Sequence, residues 1–202
     1  MLPVPALDLY LASTSPRRSA LLTSAGFRFE LCAPGPEYVS GGGHEHISER
    51  GEPITLAMER AVRKGLGAVV ADPLIPVLAV DTVVDLDGQE LGKPRDRGAA
   101  EVMLRSLTNR RHRVHTAHFL RLVHSGRTEL LVSSAEVQCG QPDPAEFARY
   151  LDSEQWRGKA GSYGVQDDAQ GFFRVVEGSF DTVVGLHVMA VRELLQRLRG
   201  QQ

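Results

Sequence analysis

A serine- and arginine-rich segment near the amino terminus has the composition of an anion-binding turn. Residues 13–18 read STSPRR, and they follow a predicted strand and open a predicted helix. The free N–H groups and the dipole at a helix amino terminus favour an anion. The side chains of Ser13, Arg17 and Arg18 add donors that suit phosphate. The alternative is a well-capped helix with two solvated arginines, because only some helix amino termini bind anions.

A single carboxylate interrupts a long apolar run. Asp81 stands within VLAVDTVV at residues 77–84. Alternation along a strand places its side chain on the face of Val83 and away from Thr82. Burying a carboxylate is costly unless it is paired, hydrogen-bonded or bound to a metal. We therefore expect Asp81 either on an edge strand with one polar face or at a working site.

Lysine is scarce, since the 23 basic residues include only Lys64, Lys93 and Lys159. Lys93 and Lys159 stand in the turns LGKP and GKAG, where small neighbours let a backbone approach a ligand closely. Each could equally be a plain surface turn. Together with STSPRR and Asp81, these lysines supply the groups needed to bind a polyphosphate and cleave it with water, assisted by a divalent metal.

Other metal and nucleophile motifs are weak or missing from the sequence. The segment HEH at 44–46 offers two imidazoles and a carboxylate, but a metal site needs several oriented ligands. His112, His115 and His118 are spaced by three residues on one predicted strand, so they alternate between its faces. The sequence contains no Walker loop, nucleophile elbow or zinc signature.

The overall composition is that of a folded domain rather than a polymer-binding or membrane protein. The chain has 202 residues, of which 42% are apolar and 24% charged, and we expect one domain over 1–202. A net charge of −2 argues against a nucleic-acid partner. We expect no membrane span and no secretory signal, and two cysteines without a disulfide framework favour the cytoplasm.

Strand, helix and hairpin signals alternate along the chain and predict the elements that must position these groups. Strands are predicted at 8–13, 27–33, 75–86, 113–123 and 127–138, with a final hairpin of 172–176 and 180–184. Helices are predicted to begin at Pro16, Pro53, Asp96 and Pro144 and to close the chain. Because strands are joined by both helices and hairpins, we predict an α/β domain with a mixed sheet.

Six segments in order along the chain resemble motifs of the Maf family of nucleoside triphosphate pyrophosphatases. They are LASTSPRRSALL at 11–22, AVDTVV at 79–84, LGKPRD at 91–96, LTNRRHRVHTA at 107–117, GKAGSYGVQ at 158–166 and GSFDTVVGL at 178–186. The resemblance implies a mixed twisted sheet with flanking helices, forming two lobes around a central cleft, as in inosine triphosphate pyrophosphatases. It also implies a nucleoside triphosphate as the partner and leaves a homodimer open.

The resemblance implies a reaction and a set of site residues. A metal-activated water would attack the α-phosphorus and release a nucleoside monophosphate and pyrophosphate. Asp81 matches the family's proton acceptor, and Asp81 with Glu37 would hold the divalent metal, Mg or Mn. Arg17, Thr82 and Gln166 match specificity positions of the branch that hydrolyses dTTP and UTP. The substrate-binding residues implied in all are Ser13, Arg17, Arg18, Thr82, Lys93, Lys159 and Gln166.

Some positions depart from the family pattern. Tyr38 stands where a second acid is usual, Arg60 where a lysine is usual, and Asp167 where a glycine follows Gln166. Asp167 could capture the Gln166 amide. Two hypotheses therefore compete: a metal-dependent dTTP and UTP pyrophosphatase, with the family's association with cell-division arrest, and a non-catalytic nucleotide-binding regulator of cell division.

Overall fold

The computed structural model describes residues 7–36, 51–167 and 171–200, and these contain one mixed sheet of seven strands. The strands are β1 (Leu9–Ala12), β2 (Phe29–Cys32), β3 (Val77–Leu86), β4 (Gln89–Leu91), β5 (Arg111–Leu122), β6 (Arg127–Cys139) and β7 (Phe173–Glu177). β1 pairs in parallel with β2 and β3, and every other ladder is antiparallel. The spatial order is β2-β1-β3-β5-β6-β7, with β4 beside the end of β3. The predicted α/β class is confirmed.

The helices flank this sheet, and those predicted to begin at Pro16, Pro53 and Pro144 begin at those residues. They are α1 (Pro16–Ser24), α2 (Pro53–Leu66), α3 (Arg97–Leu107), α4 (Pro144–Asp152), α5 (Phe180–Val184) and α6 (Val188–Gly200). A proline at the first turn starts α1, α2 and α4, because proline fixes a helical φ and needs no hydrogen-bond partner there. The Asp96 and Asp143 carboxylates cap α3 and α4 by accepting from the N–H groups of Ala99 and Ala145.

Strand β3 lies inside the sheet, so the edge-strand interpretation of Asp81 is wrong. On one side β3 pairs with β5 from Val77 to Asp85. On the other side β1 pairs with β3 only as far as Ala79, and the pairing of β3 with β4 starts at Val84. Within the described residues, positions 80–83 thus lack a strand neighbour on that side. This notch, defined by residues 80–83, lies beyond the carboxyl end of β1, where ligands bind in open α/β sheets.

The even-numbered residues of β3 and β5 face two separate apolar clusters. Leu78, Val80 and Leu120 pack with α6 at one end of the strands. Val84 and Val114 pack with α3, α4 and Trp156 at the other end. The polar side chains of Thr82 and Thr116 lie between the two clusters, because their positions fall midway along the paired strands. The two lobes implied by the family resemblance thus correspond to these two apolar clusters, which are joined by β3 and β5.

The segment from Phe180 to Val184 is a helix, so the predicted second strand of the last hairpin is wrong. Its β-branched residues favour a strand locally. However, the Asp181 carboxylate accepts hydrogen bonds from the Ser179 hydroxyl and from the Val188 N–H at 2.8 Å. Gly185 follows with a positive φ of 119° and ends α5 in a left-handed conformation. These local hydrogen bonds stabilise the helical conformation of α5 and the start of α6, which follows it.

Close packing of α2 on the sheet depends on glycine at position 65. A Cβ there would overlap the ring of Phe119 on β5 and would lie 3.2 Å from the Ala79 Cβ on β3. We expect Gly65→Ala to lower the free energy of unfolding by about 1–3 kcal/mol, because the ring must move in a packed core. Urea denaturation measures this. The matched change Gly200→Ala in α6, where a Cβ meets nothing within 4 Å, is expected to leave stability unchanged or raised. Equal effects of the two changes would contradict the packing argument.

None of the helices in the described ranges has the length and apolar character needed to cross a membrane.

Candidate active site

The guanidinium of Arg18 gathers three elements at the notch. Its Nε–H donates to the Gly185 carbonyl at 2.9 Å, one terminal nitrogen donates to Ser13 Oγ at 3.1 Å, and the other donates to Thr82 Oγ1 at 3.3 Å. Ser13 follows β1, Thr82 lies on β3 and Gly185 ends α5. The structure therefore brings together Ser13, Arg18 and Thr82 as predicted, and it adds Gly185.

The two neighbouring arginines differ in their surroundings. Arg17 is half-buried at the start of α1, and it is Arg18 that contacts Thr82. Ser15 occupies the cap position without a side-chain cap bond, and its own N–H donates to Ser13 Oγ at 3.2 Å. The amino terminus of α1 is thus shaped by Ser13 rather than by Ser15, and Arg18 is the arginine held in a fixed orientation.

A chain of hydroxyl groups continues from Arg18 into the core. Thr82 Oγ1 lies 3.1 Å from Thr116 Oγ1, which donates to the Thr182 carbonyl at 2.8 Å. Thr116 is fully buried, whereas Thr82 is only half-buried. Thr116 was not predicted as a site residue beyond its place in a family motif, because its partners lie on β3 and α5.

The carboxylate of Asp81 is buried on the opposite face of β3, beneath α2. Its Oδ1 accepts from Lys64 Nζ at 2.5 Å, and the side chains of Asp81 and Lys64 are 6% and 12% exposed. The predicted alternation of Asp81 and Thr82 is confirmed. Sequence reasoning missed Lys64 as a site residue. Two features could have identified it as a site residue: lysines are rare in this chain, and Lys64 lies on the α2 helix.

A second buried cation of α2 serves a different partner. Arg60, one turn before Lys64, forms a two-pronged ion pair with the Glu90 carboxylate at 2.5 and 2.8 Å. Only 9% of the Arg60 side chain is exposed. This pair ties α2 to the β3–β4 hairpin. Of the two residues, Lys64 is therefore the one that reaches Asp81.

The two predicted lysine turns touch through their backbones. The Gly161 N–H donates to the Gly92 carbonyl at 3.1 Å, which joins the turn of Lys93 to the turn of Lys159. Lys93 is exposed, whereas the side chain of Lys159 is 11% exposed and forms an ion pair with Asp167. The structure thus brings the turns together and gives their lysines different surroundings.

Asp167 also captures the amide of Gln166. Gln166 Nε2 donates to Asp167 Oδ2 at 2.6 Å, and Lys159 Nζ contacts the same oxygen. A Cβ on Gly164 would lie 2.5 Å from Gln166 Nε2 and 3.1 Å from Lys159 Cε, so the glycine lets both side chains fold back over it. The predicted competition of Asp167 for the Gln166 donor is confirmed.

Comparison with known proteins extends the motif resemblance to the whole chain. The family described as Maf-like protein matches residues 8–198. The chain belongs to the Maf family. It is 38% identical over 197 residues to the dTTP/UTP pyrophosphatase of Bordetella avium. This alignment covers 94% of each chain. It is 40% identical over 188 residues to the dTTP/UTP pyrophosphatase of Thermus thermophilus, covering 93% of this chain and 92% of the relative.

The metal-binding potential of this Maf chain centres on Asp81. Glu37, Tyr38 and the HEH segment at 44–46 lie outside the described residues. Within the residues that the structure describes, no group of three or more histidine, cysteine or acidic side chains could hold a metal. The Asp81 carboxylate still fits Mg²⁺, which is commonly bound by one or two carboxylates together with substrate phosphates.

Two buried histidines of β5, His112 and His118, form contacts that hold neighbouring segments on the strand. Burial lowers the pKa of His118 to about 4, so its ring is neutral and its Nε2 accepts from the His187 N–H at 2.9 Å. His112 Nε2 lies 2.6 Å from the Tyr163 hydroxyl, and burial lowers the His112 pKa to about 4. These contacts fix the segment after Gly185 and the turn after Gly161 on strand β5.

Proposed function

We propose that the chain hydrolyses dTTP and UTP to the monophosphate and pyrophosphate. Relatives with this name match 94% and 93% of its length. The structural observation that carries the proposal is the position of Asp81 and Thr82, consecutive residues of β3 beside the notch. A ligand in the notch reaches a buried carboxylate on one face of β3 and the Arg18–Thr82 pair on the other.

The proposed reaction assigns each end of the nucleotide to a set of residues. A water oxygen bonds to the α-phosphorus, the bond from the α-phosphorus to the bridging oxygen breaks, and Asp81 orients the water and takes its proton. Arg17, Lys93 and Lys159 bind the leaving pyrophosphate, on which charge develops. Arg18 donates to three protein acceptors, so we assign it to the base end with Thr82.

A divalent cation, Mg²⁺ or Mn²⁺, completes the proposed site. Asp81 and Glu37 are the residues proposed to hold it, together with phosphate oxygens of the substrate. When bound, the cation offsets phosphate charge and favours ionisation of water. Lys64 Nζ donates to the Asp81 carboxylate at 2.5 Å and so holds this group in place within the site.

A direct test is to incubate the purified chain with dTTP, UTP, dCTP and dGTP, with Mg²⁺, with Mn²⁺ and with a chelator. We expect pyrophosphate and monophosphate from dTTP and UTP only when a metal is present. Stepwise release of orthophosphate, with the diphosphate accumulating, would contradict cleavage at the α-phosphorus. Tight binding of dTTP without any product would support the non-catalytic regulator instead.

The amide of Gln166 is proposed to read the pyrimidine edge. The Nε2 donor of this amide matches the O4 acceptor of uracil and thymine, whereas a carboxylate only accepts. We expect Gln166→Glu to lower kcat/KM for dTTP about tenfold or more relative to dCTP. Steady-state kinetics on both nucleotides measures this, and a dTTP to dCTP ratio unchanged by the substitution would remove Gln166 from base recognition.

The carboxylate of Asp167 competes with the substrate for Lys159 and Gln166. Because it holds both donors and carries a negative charge, a bound triphosphate must displace it. We expect Asp167→Asn to lower KM for dTTP about three- to tenfold, since the charge-assisted bond to Lys159 weakens. The exposed Asp152, which pairs with Arg97 outside the site, offers a matched Asp→Asn control without effect on KM. A raised KM for Asp167→Asn would mean that Asp167 helps to bind the nucleotide.

A further inference from the structure

The donor and acceptor roles of the Thr116 hydroxyl follow from its two partners. Its hydroxyl donates to the Thr182 carbonyl at 2.8 Å, and a carbonyl oxygen can only accept. A hydroxyl has one proton, so Thr116 cannot also donate to Thr82, which lies 3.1 Å away. Thr82 must therefore donate to Thr116. The direction of this bond follows from counting protons.

The hydroxyl of Thr82 is consequently fixed as an acceptor toward any ligand. Its only proton points to Thr116, and one of its two lone pairs receives the Arg18 guanidinium at 3.3 Å. Arginine has no acceptor, so the reverse order is excluded. One lone pair of Thr82 remains, and the side chain is half-buried beside the notch, where a ligand can reach it.

The space beside this hydroxyl is kept open by Gly185. A Cβ on Gly185 would lie 3.4 Å from Thr82 Oγ1 and 3.8 Å from Arg18 Nε, at contact distance from both groups. The φ of 119° also disfavours any residue with a side chain. The Gly185 carbonyl accepts from Arg18 Nε, so the same residue orients the arginine and leaves room next to Thr82.

We infer that Thr116, without touching the nucleotide, sets base selectivity by holding Thr82 as an acceptor for the N3–H group of thymine and uracil. The N3 atom of cytosine is itself an acceptor, so it would face the Thr82 lone pair unpaired. A mismatch of this kind penalises binding because neither group can then hydrogen-bond. This inference rests on the proposed function and makes Thr116 a positioning residue of the same site.

The test replaces Thr116 with valine, which keeps the shape and removes the hydroxyl. The Thr82 proton then loses its acceptor and can turn outward to meet cytosine. We expect the preference for dTTP over dCTP to fall about tenfold, both in kcat/KM and in Kd measured with the metal chelated. Thr116→Ser restores the hydroxyl and should restore the preference. The matched control is Thr108→Val, which removes another hydroxyl-to-carbonyl bond, to Leu104 at 2.9 Å, outside the site.

The outcomes separate the inference from the proposed function. A Thr116→Val variant that folds, as judged by its melting temperature, and keeps the wild-type preference overturns the inference, as does an equal loss in Thr108→Val. Absence of hydrolysis in the wild type overturns the proposed function alone, because the Kd ratios still test Thr116. If Thr116→Val does not fold, dTTP methylated at N3 tests the wild type directly. Undiminished binding of that analogue overturns the inference, and a loss of about tenfold supports it.

Discussion

Replacing Asp81 with asparagine is expected to lower kcat for dTTP by about 10²–10⁴-fold, the usual scale for losing a general base or the group that orients water. The same change also breaks the buried ion pair between Asp81 and Lys64. Breaking a buried ion pair costs about 3–5 kcal/mol of stability, so the variant should also melt at a lower temperature. Pyrophosphate release and thermal unfolding measure the two effects.

A double variant separates catalysis from stability at this pair. Adding Lys64→Met to Asp81→Asn removes the buried positive charge that faces position 81, and neutral replacement of both partners of a buried pair is often tolerated. We expect the melting temperature to recover while kcat stays low. Recovery of kcat together with the melting temperature would show that Asp81 acts through stability, and near-normal turnover of the single variant would assign catalysis to another acid.

Replacing Arg18 with lysine is expected to lower kcat/KM for dTTP by about 10²-fold. A lysine ammonium cannot reproduce the planar arrangement that reaches Ser13 Oγ, Thr82 Oγ1 and the Gly185 carbonyl together. Losing charge-assisted bonds worth about 1.5–3 kcal/mol each is enough for this effect. Steady-state kinetics with dTTP measures it.

The neighbouring arginine provides the comparison. Arg17 is half-buried and is proposed to bind phosphate, for which a lysine charge largely suffices. We therefore expect Arg17→Lys to lower kcat/KM by only about threefold. A larger loss in Arg17→Lys than in Arg18→Lys would assign the specificity role to Arg17, as the motif resemblance implies.

Local signals carried much of the fold prediction. The prolines at the starts of α1, α2 and α4 and the Asp87-Gly88 turn between β3 and β4 all act within a few residues of where they stand. The strand predicted at 180–184 is wrong because local composition was the only signal available there. Its β-branched residues indicate a strand, whereas the hydrogen bond from the Val188 N–H to Asp181, which helps to close the helix, joins two elements.

The candidate site was predicted in its residue types but not in its pairings. Asp81 and Thr82 were assigned to opposite faces from alternation alone, and Asp167 was adjacent to Gln166 in the sequence. The pairing of Asp81 with Lys64 and of Thr82 with Thr116 depends on how α2 and β5 pack on β3. No periodicity within one element contains that information, which arises only when the sheet forms.

Because Asp81 and Thr82 occupy consecutive positions of β3, the site depends on the register of this strand. The β3–β5 ladder runs without a shift from Val77 to Asp85, so one inserted residue ahead of Asp81 would exchange the two faces. The carboxylate would then take the place of Thr82 beside Thr116, and the threonine would move to the face that now carries Asp81. A compensating bulge, like the irregularity between Glu136 and Val137 in the β6–β7 ladder, would be needed to undo the exchange. Length differences among relatives are thus expected in the loops flanking β3 and not within it.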